Sequence, residues 1–177
     1  MNNFLLVASD VHGGVGAFEI LSERASTQNC LAFLYAGDLE IDNYFIAEKL
    51  RTRNYTFIPV RGNCDRPWSW EEAGVPFPPV ERSLSFGGLD IWMSHGHILS
   101  EPEYGHYDVV ITGHTHITSL RKCKDTVYLN PGSASRPRGR SGASYATIEF
   151  KDNAVLFNTR VLESADIIES LVVSFNK

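Results

Sequence analysis

The sequence predicts an α/β fold built on a mainly parallel sheet, with a run of further strands after it. Three observations predict it. Strand-like and helix-like segments alternate through the first sixty residues, strand-like segments dominate the remainder, and most of the earlier strands end in a short polar segment carrying Asp, Asn or His. At 177 residues the chain is long enough to bury a substantial core, and one domain spanning 1–177 is expected.

FLLVAS (4–9) is a short continuous apolar run, the pattern of a strand covered on both faces. VGAFEILSERASTQ (15–28) gathers Phe18, Leu21 and Ala25 on one helical face, with Glu19, Glu23 and Arg24 elsewhere. CLAFLYAG (30–37) reads as a second strand, DNYFIAEKLRTR (42–53) as a second amphipathic helix and TFIPV (56–60) as a third strand. This βαβαβ order implies parallel pairing with right-handed crossovers. RPWSWEEAGVPFPP (66–79), rich in proline and aromatics, reads as an irregular connection. Short strands follow: RSLSF (82–86), LDIWMS (89–94), DVVIT (108–112), TVYLN (126–130), YATIEF (145–150) and AVLFNTRVL (154–162). Gly87-Gly88 and Asp152-Asn153 supply turn signals between them. The final segment, 165–177, fits either a helix followed by a strand or one long strand.

The formal charge of −5 disfavours a nucleic-acid partner, because the chain as a whole repels polyanions. No apolar stretch approaches the length of a membrane span, and the N-terminus lacks the basic segment and the apolar length of a secretion signal. Cys30, Cys64 and Cys123 are odd in number and far apart, which suggests free thiols in a reducing compartment and a cytoplasmic protein.

Polar punctuation at the strand ends carries the chemistry. Successive strands end in Asp10-Val11-His12-Gly13, Gly37-Asp38, Gly62-Asn63-Cys64-Asp65, His95-Gly96-His97, Gly113-His114-Thr115-His116 and Asn130-Pro131-Gly132-Ser133. Singly, each has an ordinary explanation as a cap or a turn. Together they place five of the six histidines at the carboxyl ends of strands, where open α/β sheets bind ligands. Residues two apart in an extended segment point the same way, so Asp10 and His12, and likewise His114 and His116, are expected to converge. The pooled set is Asp10, His12, Asp38, Asn63, His95, His114 and His116. Mixed imidazole and oxygen donors suit Mn, Fe, Co, Ni or Zn, and the set is too large for one tetrahedral ion. Two divalent ions sharing a carboxylate fit it, with His114 and His116 divided between them.

With SDVHG (9–13), AGDLE (36–40), RGNCD (61–65), SHGH (94–97), TGHTH (112–116) and NPGS (130–133) in this order, the chain resembles the calcineurin-like metallophosphoesterases, and among them the small YfcE-like phosphodiesterases. The resemblance implies two facing mixed sheets flanked by helices, an αββα sandwich with a dinuclear site on one edge. It implies one metal held by Asp10, His12 and His116, a second by Asn63, His95 and His114, and Asp38 as the bridge. Manganese is the leading metal. The family's common motif has histidine where Cys64 stands, a departure that YfcE-like members share. The implied activity is hydrolysis of a small phosphodiester by a hydroxide held between two metals about 3.5–4 Å apart. Alternatives are a phosphomonoesterase or protein phosphatase, and a non-catalytic scaffold on the same fold. Family members often pair, so a homodimer is left open.

Asn63, Cys64 and His97 are the candidates for contact with the reacting group. An ordinary thiol near ~8.5 is a poor proton donor and lacks a nearby base in the sequence, so Cys64 is not read as a nucleophile. His97 fits proton donation or hydrogen bonding to a ligand equally well. Asp65 reads as closing its turn rather than orienting a ligand. Trp68 and Trp70 read as packing in preference to forming an apolar lip, Arg136 as solvated in preference to binding phosphate, and His106 as a loop residue.

Overall fold

The computed structural model describes residues 2–42, 44–98, 101–102 and 105–175. Its elements run β1 (Phe4–Ala8), α1 (Val15–Ala25), β2 (Cys30–Tyr35), α2 (Tyr44–Arg51), β3 (Phe57–Pro59), α3 (Pro67–Glu72), β4 (Glu81–Phe86), β5 (Leu89–Ser94), β6 (Val109–Ile111), β7 (Thr118–Cys123), β8 (Thr126–Pro131), β9 (Ser144–Phe150), β10 (Val155–Val161) and β11 (Ile167–Val173). They form a six-stranded sheet, β11-β10-β9-β1-β2-β3, and a five-stranded sheet, β4-β5-β6-β8-β7. In the first sheet β1, β2 and β3 are parallel and β9 to β11 antiparallel. In the second, β5, β6 and β8 are parallel, with β4 and β7 antiparallel at the edges.

The continuous apolar run of β1 is explained by two cores. Leu6 and Ala8 face the helical side with Phe18, Leu21, Phe33, Tyr35, Leu50 and Trp70. Leu5 and Val7 face the other sheet, packing with Leu34, Ile91, Met93, Ile111, Leu129, Ile148 and Phe157. Alternating side chains therefore enter different cores, and both must be apolar. The outer face of the second sheet is thinner. Trp92, Val110 and Tyr128 are buried there under Tyr107, and the Tyr128 hydroxyl donates to the Pro102 carbonyl at 3.1 Å. Among the described residues this outer layer is loop, whereas α1 to α3 all pack on the first sheet's side.

Two elements differ from expectation, and an alternative left open at the C-terminal segment is decided. The connection after β3 holds α3, not an irregular segment throughout: Pro67 sits at the first turn, where its missing N–H costs nothing, and Trp70 is wholly buried against Phe77. Only Trp68 remains exposed, so Trp70 has no part in any lip. The strand β7 has no clear apolar alternation because it is an edge strand carrying Arg121 and Lys122 outward. The final segment is a strand. Its Leu171 and Val173 pack into the inter-sheet core, and β10 supplies its backbone partners from Val155 to Arg160.

Trp70→Ala is expected to cost about 3–5 kcal/mol, the range for emptying a large aromatic site in a core. Urea denaturation with the midpoint compared at constant slope reads it; Trp68→Ala should shift the midpoint little.

Candidate metal centre

Both parallel triplets deliver their carboxyl ends to one edge of the molecule. Asp10 and His12 follow β1, Asp38 and Glu40 follow β2, and Asn63 to Asp65 follow β3. His95 and His97 follow β5, His114 and His116 follow β6, and the segment from Ser133 to Arg138 follows β8. The loops do not leave their strands extended. Asp10, His12, Asp38, Glu40, His114 and His116 all have positive φ, between 46° and 65°. Asp10 and His12 meet through alternating left-handed residues and not through the strand alternation that the sequence suggested, while His114 and His116, expected to converge in the same way, face different partners. Left-handed residues cost about 1–2 kcal/mol each outside glycine.

Hydrogen bonds between the loops hold that conformation. Backbone N–H groups of Asp10 and His12 donate to the carbonyls of Gly37 and Asp38, each at 3.0 Å. The buried Tyr35 hydroxyl donates to the Asp38 carbonyl at 3.2 Å and accepts from the Val11 N–H at 3.0 Å. Asp65 accepts from the N–H groups of Gly62, Asp38, Leu39 and Glu40 at 2.8–3.0 Å. It closes its own turn and also fixes the Asp38 loop, a second role that the sequence reading had set aside. Ser133 Oγ donates to the Asp10 carbonyl at 2.7 Å, and Asn130 Nδ2 to that of Gly113 at 2.7 Å. Glycine is required where the loops touch: a Cβ on Gly62 would lie 2.0 Å from Asp38 Oδ1, and one on Gly37 2.6 Å from His95 Nδ1.

Two buried carboxylates form the middle. Asp10 Oδ2 accepts the His114 N–H at 3.1 Å, and Asp38 Oδ1 accepts the Cys64 N–H at 2.8 Å. Their other oxygens face imidazoles. Asp10 Oδ1 lies 3.2, 3.7 and 3.9 Å from the Nε2 atoms of His116, His12 and His95. Asp38 Oδ2 lies 3.3 Å from His95 Nε2 and 3.8 Å from His12 Nε2. In each ring Nδ1 is engaged with oxygen: Ala36 O at 2.7 Å for His95, Arg136 O at 2.6 Å for His116 and Glu40 Oε1 at 3.2 Å for His12. With those Nδ1 atoms donating, every Nε2 presents a lone pair to carboxylate oxygen, and His12 and His116 present theirs to each other at 3.2 Å.

An assembly of acceptors alone needs cations or protons between its atoms. Asp10 Oδ1 and His95 Nε2 are buried with no hydrogen-bond partner. Asp10 with His12 and His116, and Asp10 with Asp38 and His95, present groups of donor atoms within 4.8 Å of one another. This donor chemistry fits divalent transition-metal binding. Hydrogen bonding to Asp10 raises the pKa of His12, and for His95 burial, which lowers the pKa, is outweighed by Asp38, the Asp10 charge and the Ala36 carbonyl together. Burial opposes ionisation of Asp38, yet His95 and the Cys64 N–H hold its carboxyl well below the usual range.

The remaining sequence candidates sit around this centre. His114 is exposed, with its ring 5.1 Å from that of His95, while His116 lies against Asp10; the two loop histidines do diverge. Asn63 is also exposed, and its Nδ2 lies 3.2 Å from Cys64 Sγ. Both line a cavity of about 350 Å³ with His12, Asp38, Cys64, His116, Arg136 and Arg138. The His97 ring is 5.2 Å from His95, and burial followed by the His95 charge lowers its pKa. Burial and the charges of Asp38 and Glu40 push the Cys64 thiol up to about 12. Arg136 contributes its carbonyl to His116, and its guanidinium reaches the cavity. His106 is exposed and outside the site. Glu40 escaped the sequence reading, although Asp38-x-Glu40 repeats the spacing of Asp10-x-His12.

A model of the calcineurin-like phosphoesterase superfamily domain matches residues 4–153. The chain belongs to that superfamily. It is 27% identical to the phosphodiesterase YfcE of Escherichia coli, over 96% of this chain and 98% of the relative. A solved structure of YfcE, described as a phosphoesterase, superposes with a TM-score of 0.81 at 25% identity, covering 95% of this chain and 98% of that one. Vps29 of Entamoeba histolytica shares the superfamily fold at a TM-score of 0.68 and 21% identity, over 98% and 99% of the two chains.

Asp65→Asn should destabilise the chain by at least about 2 kcal/mol, since it strips a charged acceptor from four buried or half-buried N–H groups. Denaturant melts of chelator-treated protein provide the measurement. Gly62→Ala is expected to abolish divalent-metal binding by displacing Asp38, whereas Gly16→Ala, at an open helical position, leaves it unchanged; equilibrium dialysis distinguishes the two.

Proposed function

We propose that this superfamily member is a metal-dependent phosphodiesterase that hydrolyses a small phosphoester, acting as one domain. The observation that carries the reading is the convergence of imidazole lone pairs and carboxylate oxygens from four separate loops. Asp10, His12 and His116 would hold one ion and His95, His114 and Asn63 the other, with Asp38 shared. Asp10 Oδ1 faces both groups of imidazoles and is a second candidate for sharing. The mixed donors favour manganese, with iron, cobalt, nickel or zinc suited to the same set. When bound, such a pair activates water and neutralises charge developing on the phosphoryl oxygens.

The chain's own residues orient and enclose the ester. Asn63, His114, Arg136 and Arg138 line the cavity, where the amide and the guanidinium groups have donors for phosphoryl oxygens. Proton donation to the leaving oxygen is the weak point. The Cys64 thiol, at about 12, holds its proton too firmly, and His97, with its lowered pKa, is neutral near pH 7. Leaving-group protonation therefore falls to water, and esters with good leaving groups are favoured. The absence of histidine at position 64 also argues against a phosphomonoesterase or protein phosphatase. The intact donor set argues against a scaffold role, and the three free cysteines support a cytoplasmic setting.

Purified without chelator, the protein should cleave bis-p-nitrophenyl phosphate, lose activity to EDTA and regain it with Mn²⁺. Asp38→Ala should remove this turnover without unfolding the chain; turnover at the wild-type rate would refute the shared role of Asp38. Cys64→Ala should retain activity within about tenfold, and rates should drop steeply from aryl to alkyl diesters. A flat leaving-group profile would instead locate an internal acid.

A further inference from the structure

We infer that Glu40 is a positioning residue for His12, holding the imidazole so that Nε2 faces the metal centre. The inference rests on the metal-centre reading above. Glu40 Oε1 lies 3.2 Å from His12 Nδ1, on the side of the ring opposite Asp10, Asp38 and His116. The His12 side chain is only 5% exposed and that of Glu40 24% exposed, so the contact is partly shielded from water. His95 and His116 are oriented in the same way, but by backbone carbonyls. His12 alone of the three receives a carboxylate.

The backbone shows that Glu40 is held for this contact. Its φ is +52°, in the left-handed region where glutamate is rare, and its N–H is fixed by Asp65 at 3.0 Å. The same Asp65 oxygen accepts the Leu39 N–H, and another holds Asp38, so a single side chain sets both the ligand Asp38 and the carboxylate behind His12. A charged acceptor does more than a carbonyl. It fixes the tautomer, and it raises the electron density that Nε2 offers a cation. Arg136 adds little to the Glu40 contact: its guanidinium stands 4.0 Å from Glu40, donates to the His12 carbonyl at 3.5 Å, and belongs to a side chain that is 60% exposed.

The test is calorimetric titration of Mn²⁺ into chelator-stripped wild type, Glu40→Gln and Glu40→Ala, with thermal melts alongside. Removing an outer carboxylate from a metal-bound histidine typically weakens metal affinity about 10–100-fold. Glu40→Ala is expected to fall in that range, and Glu40→Gln, which keeps an acceptor but no charge, between it and wild type. Wild-type affinity in both variants would overturn the assignment while leaving the metal centre standing. Failure of the wild type itself to bind Mn²⁺ would instead overturn the metal reading and this inference with it. Should the alanine variant not fold, Glu40→Gln decides by its own loss or retention of affinity. A separate readout is the His12 ring in ¹⁵N spectra of Zn²⁺-loaded protein. Slow exchange of the Nδ1 proton in wild type, quickened in Glu40→Gln, supports the contact; a ring with no proton on Nδ1 in wild type contradicts it.

Discussion

Two carboxylates share one buried space, and the rest of the site follows from keeping them there. Asp10 and Asp38 each give one oxygen to a backbone N–H and leave the other facing imidazole nitrogen. Two negative charges in a region of low dielectric repel strongly unless cations or protons intervene. Histidine suits such a place because an imidazole can either carry a proton or present a lone pair to a cation.

Holding such a cluster open requires a backbone that cannot relax. Six residues in left-handed conformation, paired across three loops, aim the side chains inward at a cost in local strain. Asp65, Tyr35 and Ser133 offset it by satisfying the N–H and carbonyl groups those bends expose. Glycine at 37 and 62 lets neighbouring loops approach more closely than any side chain would permit. The scaffold behind them is rigid for an ordinary reason. The strands feeding the loops are packed on both faces, and β1 sends alternate residues into two different cores.

The chemistry of the rim fits the same picture. Its cavity is modest in volume and rich in donors, suited to an anionic ester and not to a large protein surface. Cys64 lines this cavity. Its neighbours Asp38 and Glu40 keep the thiol protonated. Under the proposed function, such a thiol would leave the enzyme dependent on esters that need little help to leave.

The order of strands and helices up to residue 60, the pooled donor set and the family were legible in the chain itself, because apolar period and polar punctuation are local properties. The grouping of Asp10 with His116 and of Asp38 with His95 came only through the resemblance, since each pair joins loops from different sheets and no local pattern connects them. Asp65 read as a turn residue and Glu40 drew no reading at all until the loops were brought together, which places Glu40 against His12 and Asp65 against the Asp38 N–H. The helix of Trp70 and the strand character of the last segment were likewise settled by what they pack against: a core waiting for an indole, and an open edge on β10. Local pattern decides which residues can bend or alternate; only the assembled sheets decide which atoms face each other, because those distances depend on residues more than a hundred positions apart in the chain.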